Sequence, residues 1–290
     1  MIRSSRLLAL LAVVLVALPV AAQDTRAPLL FVLEDADSRV TLLGSIHVLP
    51  QSAYPLPASI DAAYAEAEQV AVETDIGDTD ALYAAVQARS FYTDGRTLPD
   101  VIGKAGFGKL TALMHRLGLP AEVAFILKPW AAEALLTSLA AQSGGFRADL
   151  GVDMHLIERA RADGKPLRSL ETAHEQIAMF DAAPDSVQAA SLMDVVRAWG
   201  TPDADGEALL SDLVSAWERG DEAALEAYAE DLPDAVLGVR NARWVPQIED
   251  MLALDGQDVL VVVGAAHLVG DDSVVAMLRA RGHTVTRSEP

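Results

Sequence analysis

The chain has 290 residues, with 42 acidic against 22 basic side chains, a net charge of −20 and no cysteine. A chain of this length forms one large or two small domains, and its negative charge disfavours nucleic acid and anionic lipid surfaces as partners because both are negatively charged. The absence of cysteine excludes disulfides, thiolate catalysis and cysteine-ligated zinc sites.

The first 22 residues have the pattern of a signal peptide. Arg3 and Arg6 precede the apolar run from Leu7 to Leu18, and Val20-Ala21-Ala22 supplies the small residues of a cleavage site. The run is short for a spanning helix, which needs about 20 apolar residues, and an uncleaved anchor is the alternative. The sequence therefore predicts a periplasmic or secreted protein with no membrane span after cleavage.

Residues 23–290 are predicted to form a single α/β domain. Short β-branched and apolar runs alternate with helical patterns, and turn residues separate them. In chain order we predict a hairpin of strands at Leu29–Leu33 and Val40–Leu43, a helix at Pro57–Glu68, a strand at Val70–Glu73, a helical insertion at about 79–145, a helix at Leu150–Asp163, a strand at Pro166–Leu170, a helical segment at about 173–254, a strand at Asp258–Val263, a helix at about Asp272–Arg281 and a strand at Thr284–Thr286.

The run Asp258–Val263 is the strongest strand signal in the chain. Its continuous β-branched and apolar residues are typical of a strand that is buried on both faces in the centre of a sheet. Because strands and helices alternate, the predicted fold class is α/β, a mixed central sheet with helices packed around it and a large helical insertion.

Two Gly-x-x-His motifs follow predicted strands. Gly44-Ser45-Ile46-His47 comes directly after Leu43, and Gly264-Ala265-Ala266-His267 comes directly after Val263. With 19 glycines and 6 histidines in the chain, chance predicts fewer than one such motif. Ligands of open α/β sheets bind outside the carboxyl ends of the strands, so we expect both imidazoles at one crevice.

Two carboxylates stand at equivalent positions, Glu73 at the end of one strand and Glu171 just after another. Two neutral imidazoles and a carboxylate form a common site for a divalent metal ion, and Mn, Co, Zn and Fe all suit these ligands. Such an ion lowers the pKa of bound water to about 7 and polarises a carbonyl, which is the chemistry of a hydrolase. The second carboxylate could act as a general base or orient a ligand.

An ordered set of segments makes the chain similar to the TraB/GumN family, which is related to the Tiki metalloproteases and more distantly to ChaN and the erythromycin esterases. The segments cover nearly all of residues 23–290, and it is their order that is specific. They are Leu42-Leu43-Gly44-Ser45-Ile46-His47, Val72-Glu73, Lys128-Pro129-Trp130, Gly151-Val152-Asp153, Gly164-Lys165-Pro166-Leu167, Leu170-Glu171-Thr172 with Gln176, Arg240-Asn241 with Trp244, and Val263-Gly264-Ala265-Ala266-His267-Leu268-Val269-Gly270.

The resemblance implies that His47, Glu73 and His267 are metal ligands or catalytic residues. Two positions depart from the family pattern: Val239 stands where an acidic residue is usual, and Ser273 replaces a common glycine. Neither departure falls on a proposed ligand, so they bear on contacts with the substrate more than on the metal.

These residues also have purely structural interpretations, in which buried histidines satisfy hydrogen bonds, carboxylates cap helices and exposed charges are solvated. On that interpretation His47 and His267 are core histidines, Glu73 is a helix cap, Glu171 begins a helix with Thr172, Asp153 is a first-turn carboxylate, and Arg240 and Asn241 lie on a solvated helix face.

The function predicted from the sequence is a metal-dependent hydrolase that acts on a peptide or protein substrate. His47, Glu73 and His267 would hold a divalent ion, Glu171 would activate or orient water, and Arg240 would bind a substrate carboxylate or stabilise negative charge. The alternative is a non-catalytic envelope protein that binds haem, a metal or a polysaccharide. The sequence does not indicate an oligomeric state.

Overall fold

The computed structural model describes residues 26–200, 206–230 and 232–288. The predicted signal peptide, residues 1–22, lies outside the described residues. Within these ranges every helix is too short or too polar to cross a membrane.

Two sheets are formed by the strands of the described chain. The strands are β1 (Leu30–Glu34), β2 (Arg39–Ser45), β3 (Leu49–Pro50), β4 (Gln69–Val72), β5 (Phe146–Arg147), β6 (Leu167–Ser169), β7 (Asp258–Gly264) and β8 (Val285–Arg287). Six of them form the main sheet in the order β6-β4-β7-β2-β1-β8, and β3 pairs with β5 in a separate two-stranded sheet.

The main sheet is mixed, as the sequence predicts. Four neighbouring strands, β6, β4, β7 and β2, run parallel to one another. β1 is antiparallel to β2 and to β8. The strand β7 lies between β4 and β2, and Val259 to Val263 are fully buried, which confirms the predicted central strand. Because the four parallel strands point the same way, their carboxyl ends meet at one edge of the sheet.

The helices of the described chain pack around this sheet and beside it. They are α1 (Ala58–Glu66), α2 (Thr79–Arg89), α3 (Leu98–Arg116), α4 (Pro129–Ser143), α5 (Val152–Asp163), α6 (Ala173–Ala182), α7 (Asp185–Gly200), α8 (Gly206–Arg219), α9 (Glu222–Glu230), α10 (Gly238–Leu252) and α11 (Val274–Ala280). The α/β class is therefore confirmed.

Buried apolar side chains form two separate cores. The first core lies on the sheet and includes side chains of α1, α5 and α8 to α11, with Trp217 and Trp244 fully buried. The second core is helical: side chains of α2, α3, α4, α6 and α7 surround Leu98 and Leu110. The predicted helical insertion thus packs against the first two helices of the predicted segment 173–254, and the rest of that segment packs on the sheet.

The hairpin at the start of the fold is confirmed, with Leu30 opposite Leu43 and Glu34 opposite Arg39. The sequence analysis missed the pair β3 and β5. Each of these strands has two residues, which is too short to show the alternation by which a strand is recognised.

Candidate functional site

The four carboxyl ends of the parallel strands each supply one of the predicted site residues. Glu171 follows β6, Glu73 follows β4, His267 follows β7 and His47 follows β2. Since the strands are adjacent in this order, the four side chains are arranged along one edge of the sheet. The structure thus brings together residues that lie up to 220 positions apart in the sequence, and α10 adds Arg240 to them.

The first Gly-x-x-His turn is held by the start of α5. The N–H of Val152 donates to the carbonyl oxygen of Ile46 at 3.0 Å. A side chain at Gly151 would bring a Cβ to 2.3 Å from the carbonyl oxygen of His47, so only glycine permits this approach of helix and turn. The packing places the first helical turn of α5 directly beside the His47 imidazole.

His47 is paired with a carboxylate from that helical turn. Its Nδ1 lies 2.8 Å from Oδ2 of Asp153, and Oδ1 of the same carboxylate accepts from the Ser45 hydroxyl at 2.7 Å. Asp153 is buried, whereas the His47 side chain is 61% exposed, so Nε2 is accessible at the mouth of the site. The negative charge of Asp153 raises the pKa of His47 to about 9, against the effect of desolvation.

His267 is buried, and both of its ring nitrogens have protein partners. Its Nδ1 is 2.6 Å from Oδ1 of Asn241, whose Nδ2 donates to the carbonyl of Asp272 at 2.8 Å. This orients the amide and assigns the proton to Nδ1, so Nε2 accepts from Nη1 of Arg240 at 3.1 Å. The Trp244 ring lies 4.5 Å from the imidazole. Burial lowers the pKa of His267 to about 4, so the ring is neutral.

Glu73 lies between the two turns. Its Oε1 accepts from the Gly264 N–H at 2.7 Å and is 3.6 Å from Nε2 of His267. Its Oε2 accepts from Nη2 of Arg240 at 2.6 Å. Burial acts to raise the pKa of Glu73, but His267, His47, Arg240 and the Gly264 N–H together outweigh it and lower the pKa to about 2. The carboxylate is therefore ionised.

Arg240 uses all five of its N–H groups within the protein. Nε donates to both oxygens of Glu171, at 3.1 and 3.2 Å, and Nη2 donates to Glu171 and Glu73 at 2.6 Å each. Nη1 donates to the carbonyl of Val236 at 3.1 Å and to His267. Burial raises the pKa of Glu171 even though Arg240 opposes it. The guanidinium is thus the counter-charge of two buried carboxylates.

Gly264 forms a small concave space onto which the predicted metal ligands converge. A Cβ at this position would lie 3.3 Å from Oε1 of Glu73, 3.5 Å from Nε2 of His47 and 3.6 Å from Cδ2 of His267. Because glycine has no side chain, the space between these three residues stays open.

The residues around Gly264 suit a divalent cation in their chemistry. Both imidazoles have an oxygen acceptor at Nδ1, which is the usual support for a histidine that binds metal through Nε2, and a carboxylate stands between them. Among the described residues, no three His, Asp or Glu side chains are already spaced to hold a metal ion. At His267, Nη1 of Arg240 lies on the lone-pair side of Nε2 at 3.1 Å.

A cavity of about 310 Å³ adjoins the site and shares Asn241 and Ala266 with it. Its walls carry five acidic side chains, and none of its lining residues is basic. The cavity therefore presents a negative surface next to the candidate site. The acidic residues are Glu226, Glu230, Asp234, Asp271 and Asp272.

The sequence analysis named Arg240 as a site residue but assigned no role in the site to Asp153 or Asn241. Asp153 was interpreted as a first-turn carboxylate, and the structure shows that it pairs with His47. The interpretation of Arg240 and Asn241 as a solvated helix face was wrong, because both are buried. Asp153 and Asn241 both lie in the ordered family segments, Gly151-Val152-Asp153 and Arg240-Asn241, but their pairing with the histidines depends on how distant segments pack.

The structural interpretation that Glu171 begins a helix with Thr172 is also wrong. Thr172 is the N-cap of α6, and Glu175 completes a capping box with it. Glu171 is therefore free of the helix end and turns to Arg240.

The model of the TraB/PrgY/gumN family matches residues 29–287, which is nearly all of the described chain. The chain belongs to the TraB/PrgY/gumN family. It is also similar to the uncharacterized protein YbaP of Escherichia coli strain K12, with 28% identity over 239 residues, 82% of this chain and 87% of that protein. The YbaP protein of Shigella flexneri matches to the same extent. No solved structure matches the chain.

Membership of the TraB/PrgY/gumN family confirms the resemblance found from the ordered sequence segments. The matched range includes all four strands whose carboxyl ends supply the site, together with α10.

Proposed function

We propose that this TraB/PrgY/gumN protein is a metal-dependent hydrolase that cleaves peptide bonds. The observation that carries the proposal is the convergence of His47 Nε2, Glu73 Oε1 and the His267 ring on the space left by Gly264. Convergent polar groups of this kind, at the carboxyl edge of a parallel sheet, are typical of active sites in α/β proteins.

His47, Glu73 and His267 would hold the ion, which would be Mn, Co, Zn or Fe. When bound, a divalent ion acts as a Lewis acid that polarises a carbonyl and acidifies water. Asp153 and Asn241 fix the two imidazole rings by accepting from Nδ1, so that each Nε2 faces the site.

Glu171 orients water in this proposal and Arg240 balances charge. Oε1 of Glu171 accepts from both Nε and Nη2 of Arg240, whereas among the described residues Oε2 accepts from Nε alone and keeps a lone pair with which it accepts from water. Burial raises the pKa of Glu171, which moves a carboxyl group towards the range of a general base. Arg240 stabilises negative charge that develops beside Glu73 and Glu171.

A peptide substrate is supported by the relation of the family to the Tiki metalloproteases and by the charge of the surface. The chain carries a net charge of −20, and the adjoining cavity is acidic, so polyanionic substrates are repelled.

We further propose that the protein acts in the periplasm or outside the cell, as the signal-peptide pattern of residues 1–22 indicates. The mass of the exported chain tests this, because cleavage after Ala22 fixes its value.

The test of the function is metal titration of the metal-free protein by calorimetry with Mn²⁺, Co²⁺ and Zn²⁺, followed by a peptide-hydrolysis screen. His47→Ala and His267→Ala should each abolish tight stoichiometric binding, and hydrolysis should follow metal occupancy. His283→Ala is the matched control, since His283 pairs with Glu249 away from the site. Binding that is indifferent to both site substitutions would refute the proposal. Stoichiometric binding without hydrolysis of any peptide would favour the non-catalytic alternative.

A further inference from the structure

We propose that Arg240 is an internal cation that holds the metal position in the metal-free protein and must withdraw from His267 and Glu73 before an ion binds. This inference rests on the proposed metal site. It follows from the fact that the guanidinium contacts two of the three proposed ligands.

The first argument concerns the single acceptor of His267. Asn241 fixes the proton on Nδ1, so Nε2 has the only lone pair that can bind a metal. Nη1 of Arg240 lies 3.1 Å from that nitrogen. One lone pair cannot serve both an N–H donor and a metal ion, so the two cations compete for it.

The second argument concerns charge. Glu73 and Glu171 are both buried, and buried carboxylates are unstable without a cation or several hydrogen bonds. Arg240 reaches both carboxylates at 2.6 Å. Arg240 therefore supplies the counter-charge of both buried carboxylates.

The third argument concerns where Arg240 can go. Its Nε bond to Glu171 does not involve the proposed ligands, and its guanidinium carbon lies 4.4 Å from the centre of the Trp244 ring. In the proposed movement the side chain stays beside Glu171 and Trp244, and Nη1 leaves His267 and Nη2 leaves Glu73. Withdrawal frees two N–H donors beside the site, where they can face an oxygen of the substrate.

The experiment measures Co²⁺ affinity by absorption spectroscopy and calorimetry. The main variant is the double substitution Arg240→Gln with Glu171→Gln, which removes one positive and one negative charge and so keeps the net charge of the cluster. The matched control is Arg243→Gln with Glu175→Gln, an exposed Arg–Glu pair in which α10 contacts α6 at 2.6 Å.

The double variant at the site should bind Co²⁺ about tenfold more tightly than the wild type or better, because a hydrogen bond to a charged group contributes roughly an order of magnitude. The control pair should leave the affinity unchanged. An affinity of the site variant equal to or below that of the wild type would overturn the inference.

Circular dichroism checks whether the double variant folds. If it does not fold, the Co²⁺ affinity of Arg240→Lys tests the inference instead. Lysine keeps the positive charge but cannot reach all the partners of the guanidinium fork. Tighter Co²⁺ binding by Arg240→Lys supports competition, and unchanged or weaker binding contradicts it.

Failure of this inference is distinguishable from failure of the proposed function. If wild type binds Co²⁺ through His47 and His267 and the double variant binds no more tightly, only the inference fails. If the variant binds Co²⁺ tightly and the metal-loaded wild type cleaves no peptide, only the hydrolase proposal fails. If none of these proteins binds Co²⁺, both fail.

Discussion

The two Gly-x-x-His turns have the same spacing and the same position after a parallel strand, yet their histidines are in opposite environments. His47 is exposed and paired with the carboxylate of Asp153, which raises its pKa to about 9. His267 is buried and paired with the neutral amide of Asn241, and burial lowers its pKa to about 4.

The difference shows that the Gly-x-x-His motif determines where a histidine lies, whereas the residues around it determine its protonation state. The spacing and the strand place both imidazoles at one edge of the sheet, and the residue at Nδ1 together with burial sets the protonation state. The two turns are therefore not interchangeable halves of a site. His47 lies on the solvent-exposed side of the candidate site, and His267 lies at its buried base.

Replacement of the two histidines should show this asymmetry most strongly. His47→Ala and His267→Ala should each reduce metal-dependent hydrolysis by about 1,000-fold, more than the roughly 10–100-fold loss typical of a residue that only supports a ligand. Their effects on stability should differ: about 3 kcal/mol for the buried ring and about 1 kcal/mol or less for the exposed one. Urea unfolding of both variants checks this, and equal losses of stability would contradict the contrast.

The pH dependence of stability should reveal the buried histidine in the metal-free protein. The pKa of His267 is lowered from 6.5 to about 4, so the unfolded chain takes up the proton first as the pH falls. The contribution of the neutral His267 ring to stability is complete above pH 6.5 and should be lost by pH 4. The free energy of unfolding should therefore fall by about 3 kcal/mol between these two pH values. His267→Gln should lack this loss, since other titrating groups are common to both proteins. Parallel curves for the two proteins would show that the ring is not held neutral.

Alanine substitutions at the glycines of the two motifs should have different effects, one on metal affinity and the other on stability. Gly264→Ala should reduce metal affinity by about 100-fold and change stability by less than about 1 kcal/mol, because its Cβ enters the open space of the site at 3.3 Å or more from every neighbour. Gly44→Ala is its counterpart: the new Cβ would meet Ala265 and Leu29 at 3.2 Å. It should destabilise the fold by about 1–3 kcal/mol through overpacking. Calorimetry and urea unfolding of both variants measure the contrast, which fails if Gly264→Ala binds metal normally.

Removing the charge of Asp153, the partner of the exposed His47, should bring the pKa values of the two histidines closer together. In Asp153→Asn the pKa of His47 should fall from about 9 towards its ordinary value of 6.5, because the charge of Asp153 is the main cause of the rise. Titration of the imidazole proton resonances by NMR measures it. Ser45→Ala is the milder control, since it leaves the contact between Asp153 and His47 in place. An unchanged pKa in Asp153→Asn would mean that another group holds the proton.

The parts of the fold with a strong local pattern could be predicted from the sequence. The β-branched run of β7 and the alternating hairpin of β1 and β2 locate strand ends, and strand ends locate His47, Glu73, Glu171 and His267. Since parallel strands share an edge, their meeting in space could be inferred without a structure.

The partners of the two histidines could not be predicted in this way. Asp153 lies 106 residues from His47, and its pairing depends on how α5 packs against the end of β2. The engagement of every N–H of Arg240 likewise depends on four separate segments meeting at one point: those of Glu73, Glu171, His267 and Arg240 itself with Val236. Local periodicity carries no information about such contacts.

The hairpin also fixes where the two ends of the described range lie. The N–H of Ser288 donates to the carbonyl of Leu30, and the Gly44 N–H donates to the carbonyl of Leu29, so both ends emerge at the edge of the sheet that carries the site. A group attached at Ser288 would therefore lie at the same edge of the sheet as the candidate site. A circular permutant that joins these ends and opens the chain at Gly118, between α3 and α4, would move the free termini away from that edge, beside the second core.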